Sequence, residues 1–184
     1  MSVTISMGGP NMTDWTIILR DYGPLVWRTV RRLLDHDADA NDCFQRTFLS
    51  AIEWAEKEPI RNWPAVLRRL ATARALEMLR SRFRNVSRND RLPETAADHR
   101  ADDPIDSAMR GELAERLRDA LAWIDPVQAE AFCLICLEEL TNREAAEVIG
   151  VTANHAGVLL HRARQALREK LIAFDPAIER RGNL

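Results

Sequence analysis

The sequence has few of the residues that interrupt helices, with only 7 glycines and 8 prolines among 184 residues. It also lacks an apolar run near the roughly 18 residues that a membrane span needs, and its start lacks the basic and apolar segments of a secretory signal. Three cysteines cannot all pair, which disfavours a secreted disulfide scaffold. We therefore expect a cytoplasmic protein without membrane insertion. The many Ala, Leu, Arg and Glu residues predict an all-helical fold.

Lysine is almost absent, since Lys57 and Lys170 are the only two, and arginine carries nearly all the positive charge. The formal net charge of −2 excludes a polycation. Charge is nevertheless segregated along the chain: residues 61–91 hold nine arginines against two acids, and residues 93–107 hold five acids against one arginine. Because arginine suits phosphate contacts and stacking, this pattern predicts a basic surface followed by an acidic segment.

The first half, residues 13–85, is predicted to form one small helical domain. Gly23–Pro24 is expected to kink or restart the first helix, because proline removes a backbone hydrogen bond. A second helix is predicted over about 38–55. A third begins after Asn62, a favourable N-cap, and continues to about Arg84.

Residues 86–103 show no hydrophobic period and are too long for a tight connection, so they are interpreted as a flexible acidic linker. Residues 104–174 are predicted to form the second small helical domain. Its start signals are Asp125–Pro126, a capping box of Thr141 with Glu144, and Thr152. The four predicted helices span about 104–123, 126–138, 142–149 and 153–173.

The stretch from Thr141 to Arg164 has the spacing of a helix-turn-helix. Ala146 is small where the two helices would cross, and Gly150 supplies the turn. On a helical wheel, the residues that project away from the core are Asn154, His155, Val158 and Arg162. The spacing alone leaves open an ordinary helical hairpin as well as DNA binding.

The last sixty or so residues resemble region 4 of the bacterial sigma-70 family, especially its extracytoplasmic-function (ECF) group, through LRDALAWIDPVQAEAFCLICLEELTNREAAEVIGV and LLHRARQALREKL. The first half resembles region 2 of the same group through DYGPLVWRTVRRLL, DADANDCFQRTFLSAIEW and WPAVLRRLATARALEMLRSRFR. The resemblance covers roughly residues 14–173. It implies a transcription initiation factor with two small helical domains on a flexible linker, which is not an enzyme and needs no cofactor.

The resemblance also implies partners and site residues. Region 2 would dock on the β′ clamp of core RNA polymerase through Asp42, Gln45, Thr47 and Phe48. It would bind the −10 promoter element through Arg61, Asn62, Arg68, Arg69, Arg80 and Arg84. Region 4 would touch the β flap and bind the −35 promoter element through Thr152, Asn154, His155, Arg162 and Arg164. The linker would thread the polymerase cleft, and an anti-sigma factor is the further partner implied.

Several positions depart from the family pattern, including Asn41, Arg46, Ala73 and Glu77. The most important departures are Gly157 and Leu159, which stand where basic residues are usual. These two departures motivate one alternative, a sigma-like decoy that sequesters an anti-sigma factor. The arginines of the third helix favour a working sigma factor instead, since a decoy needs no such cluster. A stand-alone helix-turn-helix regulator is a second alternative, but it leaves residues 14–84 unexplained.

Other candidate sites are weaker. Cys133 and Cys136 form a CxxC with apolar flanks inside a predicted helix, which favours core cysteines over a metal or redox site. Cys43 is likewise expected to be buried, and Trp63 to pack in the core or to stack on a base. No glycine-rich phosphate loop or catalytic triad pattern occurs, so no enzyme is predicted. Each half is small, and we expect the two to cover each other's apolar surface in the free protein.

Overall fold

The computed structural model describes residues 13–89 and 104–174, and side chains within 13–84 and 111–172. These residues form helices, with no strand among them, which confirms the all-helical prediction. Most of the predicted linker, residues 90–103, lies outside the described part of the chain. The helices are α1 (Trp15–Leu33), α2 (Asp37–Lys57), α3 (Trp63–Asn89), α4 (Pro104–Trp123), α5 (Pro126–Phe132), α6 (Asn142–Ile149) and α7 (Ala153–Phe174).

Helix α1 runs without a break through Pro24, so the predicted restart at Gly23–Pro24 is wrong. Pro24 lies on the exposed side of the helix, where the carbonyl of Arg20, which loses its hydrogen-bond donor, can bind water instead. Its neighbours Gly23 and Val26 are buried, and Phe44 of α2 packs over Gly23. Packing on the inner side therefore holds α1 together across the lost hydrogen bond.

The predicted start signals are confirmed. Asn62 Oδ1 accepts the backbone N–H of Ala65 at 3.1 Å, and Asp125 accepts the N–H groups of Val127 and Gln128. Thr141 with Glu144 forms a complete capping box at the start of α6.

Two helix ends differ from prediction. Helix α3 continues to Asn89, beyond the predicted end at Arg84. Helix α5 passes into a π-helical turn, Cys133–Leu137, that the sequence did not predict. The wider turn ends at Glu138, whose N–H donates to the Cys133 carbonyl at 2.9 Å.

The two halves share one hydrophobic core, with α3 at its centre. Leu67 and Leu76 of α3 are fully buried, and their cluster includes Val30 of α1, Leu121 of α4 and Leu167 of α7. Helix α3 packs against α1 and α2 on one side and against α4 and α5 on the other. The halves are therefore in contact, as their small size predicts.

Two cysteines belong to the core. Cys43 and Cys133 are buried, and burial raises the pKa of the Cys43 thiol to about 11 and that of Cys133 as well. Both side chains are thiols at neutral pH, as expected of core cysteines rather than redox centres. Within residues 13–89 and 104–174, no group of three or more His, Cys, Asp and Glu side chains is placed to hold a metal ion. None of the described helices combines the length and hydropathy of a membrane span.

Candidate nucleic-acid interface

Helices α6 and α7 form the helix-turn-helix that the spacing predicts. Ala146 and Ala156 are buried, which lets the two helices approach closely. Gly150 adopts φ 83° at the turn, a left-handed conformation that favours glycine, and its N–H donates to the Ala146 carbonyl at 2.8 Å. Thr152 Oγ1 accepts the His155 N–H at 3.2 Å and so caps α7.

The outer face of α7 is open to solvent. Asn154, Val158 and Arg162 follow one another at four-residue spacing along this face, and all three are exposed. The remaining predicted residues Thr152, His155 and Arg164 are exposed too, and Arg164 Nη2 lies 3.6 Å from Cys136 Sγ. All five residues predicted for −35 contact are thus on the surface, at the start of α7 or along it.

One departure from the family pattern has a structural explanation. Leu159 is 6% exposed and packs with Leu134, Val148 and Ile149 in a second small core beneath the helix-turn-helix. The side chain at position 159 therefore stabilises the motif and contacts no ligand. Gly157 is different, because it lies on the half-exposed side of α7.

The residues predicted to contact the −10 element, on α3 and just before it, divide into two groups. Arg84, and Arg61 and Asn62 just before the helix, are exposed. Arg68 and Arg69 are half-buried and face carboxylates of the second half: Arg68 Nε lies 3.8 Å from Glu138 Oε2, and Arg69 Nε lies 3.4 Å from Glu130 Oε1.

Glu138 is the centre of the contact between the halves. Its side chain is 3% exposed, and its Oε1 accepts a hydrogen bond from Arg32 Nη1 at 3.1 Å. Arg32 also donates to the Leu137 carbonyl at the end of the π-helical turn. One carboxylate therefore faces a guanidinium from α1 and another, that of Arg68, from α3.

Arg80 is also enclosed by the second half. Burial lowers the pKa of its guanidinium, while the nearby Cys133 and Asp125 act in the opposite direction. Its Nη2 is buried without a hydrogen-bond partner. Three of the six residues predicted for the −10 element are thus covered, or faced by carboxylates, in this arrangement.

Polar and aromatic contacts surround this boundary. Asp35 lies 3.5 Å from Arg82 of α3 and 3.6 Å from Arg118 of α4. Phe83 and Trp123 pack edge to face with their ring centroids 4.9 Å apart. Sequence reasoning missed every one of these pairs, because each joins residues far apart in the chain.

The comparisons with known proteins agree in both halves. Residues 18–85 match the model of sigma-70 region 2, and residues 114–167 match the model of sigma-70 region 4. The chain is 30% identical over 149 residues to the RNA polymerase sigma-E factor of Streptomyces coelicolor, covering 80% of each protein. It is 29% identical over 162 residues to the ECF RNA polymerase sigma factor SigE of Mycolicibacterium smegmatis, covering 87% of this chain and 62% of that protein. The chain belongs to the ECF group of the sigma-70 family.

A solved sigma factor has a similar fold. The sigma factor RpoE of Bartonella quintana, crystallised with the anti-sigma factor NepR, matches with a TM-score of 0.55 and 23% identity. The match covers 87% of this chain and 98% of that one. Sigma factors are transcription initiation factors and not enzymes, in agreement with the prediction.

Helix α2, which the resemblance predicts to dock on the β′ clamp, exposes only part of its predicted set of contact residues. Gln45 is exposed, and Asp42 is half-buried with its carboxylate 2.9 Å from Arg46. Phe48 is half-buried and packs against Phe44, with 5.1 Å between ring centroids. Thr47 is fully buried and its hydroxyl donates to the Cys43 carbonyl at 2.8 Å, so it packs α2 onto the bundle and offers no atom to a partner.

Exposed apolar side chains lie beside this set. Leu49 is 57% exposed, and Trp27 of α1 is 37% exposed with its ring against Phe44. A helical wheel of α2 would have identified Leu49 as an apolar residue on the exposed side of the helix. Trp63 is half-buried and packs edge to face on Trp15, with 5.4 Å between ring centroids, in agreement with a role in the core.

Proposed function

We propose that this ECF sigma factor binds core RNA polymerase through α2 and directs it to promoters, with α7 on the −35 element and α3 on the −10 element. The observation that carries the proposal is the helix-turn-helix of α6 and α7 with its outward face open. Asn154 and Arg162 on that face are side chains that read adenine and guanine in a major groove. The exposed Gln45 and Leu49 on α2 support docking on the β′ clamp, and region 4 would also touch the β flap.

Binding of α3 to DNA requires a rearrangement in this proposal. Glu130 and Glu138 face arginines that a promoter phosphate would contact, and a carboxylate and a phosphate compete for the same guanidinium geometry. Core polymerase would supply the binding energy that separates the halves. The free protein is therefore expected to bind promoter DNA weakly.

An anti-sigma factor is part of the proposal. RpoE of Bartonella quintana, which shares the fold, was crystallised with the anti-sigma factor NepR. We expect a comparable inhibitor to hold this sigma factor between rounds of activity. A sigma-like decoy would also bind an anti-sigma factor but would not bind promoter DNA. A transcription assay therefore distinguishes a working sigma factor from a decoy.

The test is run-off transcription with purified core polymerase over genomic promoter fragments, with and without the full chain. We expect new start sites that depend on the protein. Replacing Arg80 and Arg84 by alanine should remove most of them, because it deletes two cations that α3 would present to DNA once the halves separate.

The matched control replaces Arg20 and Arg28, two exposed arginines of α1, by alanine. This variant removes the same charge and should leave the start sites unchanged. Loss of transcription in both variants would indicate a nonspecific effect of charge. Tight binding of an anti-sigma factor with no transcript at any fragment would favour the decoy.

A further inference from the structure

The outer face of α7 contains a notch to which no role has been given above. It has a volume of about 300 Å³ and lies between the start of α6 and the second turn of α7. Gly157 forms its floor, and a Cβ there would lie 3.4 Å from Asn142 Nδ2. Ala153 and Val158 add methyl groups to its walls. The polar rim consists of Asn142, Asn154, His161 and Arg162.

The position of the notch identifies the kind of group that it takes. A helix-turn-helix places the first turns of its second helix against base edges in the major groove. Val158 lies in those turns with 36% of its side chain exposed, and it has no polar atom with which to donate or accept. Among the four bases, thymine is the one that presents a methyl group in the major groove.

We propose that Gly157 and Val158 form a site for a thymine methyl and that Val158 sets sequence specificity at the −35 element. This proposal rests on the function proposed above. The methyl fits because Gly157 has no side chain, and a long basic side chain at that position would fill the notch. The missing basic residue is thus exchanged for a different kind of base contact.

The polar neighbours fix where the thymine should lie. Asn154 is four residues before Val158 and Arg162 is four residues after it, which places each about 6 Å away along the helix axis. For a helix that runs along the major groove, that distance is about two base-pair steps of B-DNA. Asn favours adenine and Arg favours guanine, so we expect the thymine within about two steps of an adenine on one side and a guanine on the other.

The experiment removes only the methyl group. Holoenzyme is assembled from core polymerase and the full chain, and is offered templates with a randomised −35 region built with either thymine or deoxyuridine. The rest of each template keeps thymine, and a transcribed barcode linked to each −35 sequence lets the transcripts be counted by sequencing. We expect one thymine position to be enriched, and the enrichment to fall about three- to fivefold with deoxyuridine, because one buried methyl is lost.

Two variants make the result specific. Val158→Ala should abolish the difference between thymine and deoxyuridine templates, whereas Val127→Ala, which changes a similarly exposed valine of α5, should behave as wild type. Gly157→Ala should raise the unfolding temperature, because alanine favours a helix, and yet lower the thymine preference. A merely structural role for Gly157 would not move these two readouts in opposite directions.

The outcomes separate this proposal from the one beneath it. Equal transcription from thymine and deoxyuridine templates at every position overturns the methyl site and leaves the sigma function standing. A wild-type thymine preference in Val158→Ala also overturns it. No transcript from any template of either kind overturns the proposed function, and the methyl site with it.

Discussion

The two surfaces proposed to bind DNA differ in how much of each the folded chain leaves open. On α7, Asn154 and Arg162 are exposed along a continuous face. On α3, Arg68 and Arg69 are half-buried and face Glu138 and Glu130 of the second half. Both surfaces carry arginines in a family motif, so the motif gives the chemistry and the packing decides whether the chemistry is available.

The physical origin of the difference is the position of α3. A central helix must bury apolar residues on several sides, and the guanidinium groups between those sides are carried into the boundary with it. Arg68 and Arg69 are tolerated there because carboxylates face them, since an unpaired charge at a largely buried position is destabilising. Helix α7 packs on one side only along its N-terminal turns, and its outer face needs no such compensation.

The largest effect is expected from Glu138→Ala, which would open the α3 surface. Its carboxylate is 3% exposed, and its loss removes the counter-charge that Arg32 and Arg68 share. We expect a loss of about 2–3 kcal/mol, less than for a fully buried pair because both arginines keep contact with solvent. Small-angle scattering should show a larger radius of gyration, and the free protein should bind promoter DNA more tightly.

The control for that variant is Glu147→Ala, which removes an exposed carboxylate of α6 that lies 3.6 Å from Arg143. It should leave the radius of gyration and the affinity for DNA as they are. If Glu138→Ala has an unchanged radius as well, then apolar packing alone holds the halves together, and the contrast between α3 and α7 does not depend on charge.

A smaller effect, confined to the open surface, is expected from Arg162→Ala. Removing one base-reading arginine should weaken transcription from the preferred promoter by roughly 5- to 30-fold, because such a contact contributes about 1–2 kcal/mol. The unfolding temperature and the scattering profile should not change, since Arg162 is exposed. Arg68→Ala should instead alter all three readouts, and a variant pair that gave the same pattern would remove the distinction between the surfaces.

Local signals in the sequence predicted the local structure well. Asn62, Asp125 and the Thr141–Glu144 box each act within three residues, so a linear pattern contains all that is needed to identify them. Gly150 is similar, because a left-handed turn at the end of a short helix favours glycine whatever lies around it. The residues predicted for −35 contact lie within this frame, and all of them are on the surface.

Properties that depend on distant neighbours were not predictable. The restart at Pro24 is absent because its neighbours Gly23 and Val26 pack in the core on the other side of α1, and Thr47 is buried because it lies on the inner face of α2. The π-helical turn brings Glu138 to Arg32 and Arg68, which are 106 and 70 positions away in the chain. No linear pattern contains that pairing, so the covering of the α3 arginines appears only in the folded structure.

The dependence of stability on pH should have opposite signs at two carboxylates. Burial raises the pKa of Glu130 at the boundary, so the folded protein holds that proton more tightly than the unfolded chain. Its contribution to stability therefore falls as pH rises from the usual glutamate pKa through the raised one. The Thr141 hydroxyl and N–H lower the pKa of Glu144, whose stabilisation is present above the usual pKa and is lost as pH falls through the lowered one.

Thermal unfolding between about pH 3 and pH 6.5 tests both signs. For Glu130→Gln, the unfolding temperature of the variant minus that of wild type should increase as pH rises. For Glu144→Gln, the same difference should decrease as pH rises. Parallel curves for the two variants would show that the boundary carboxylate is as well solvated as the one in the capping box. In that case the second half would not shield the α3 arginines from solvent.

The smallest effect is expected at the rim of the boundary, in Asp35→Asn. Asp35 lies 3.5 Å from Arg82 and 3.6 Å from Arg118, and about a third of its side chain is exposed. Exposed pairs of this kind contribute under about 1 kcal/mol, and salt near 1 M reduces the screening length to about 3 Å. The difference in unfolding temperature between Asp35→Asn and wild type should therefore shrink to zero at high salt. Asp21→Asn serves as the control, because it disturbs an exposed pair that lies within α1 and not between the halves.

The loss caused by Glu138→Ala should persist at the same salt concentration, because ions do not reach a carboxylate that is 3% exposed. If salt removed both losses, Glu138 would belong to the rim, and ionic strength alone would be enough to uncover α3.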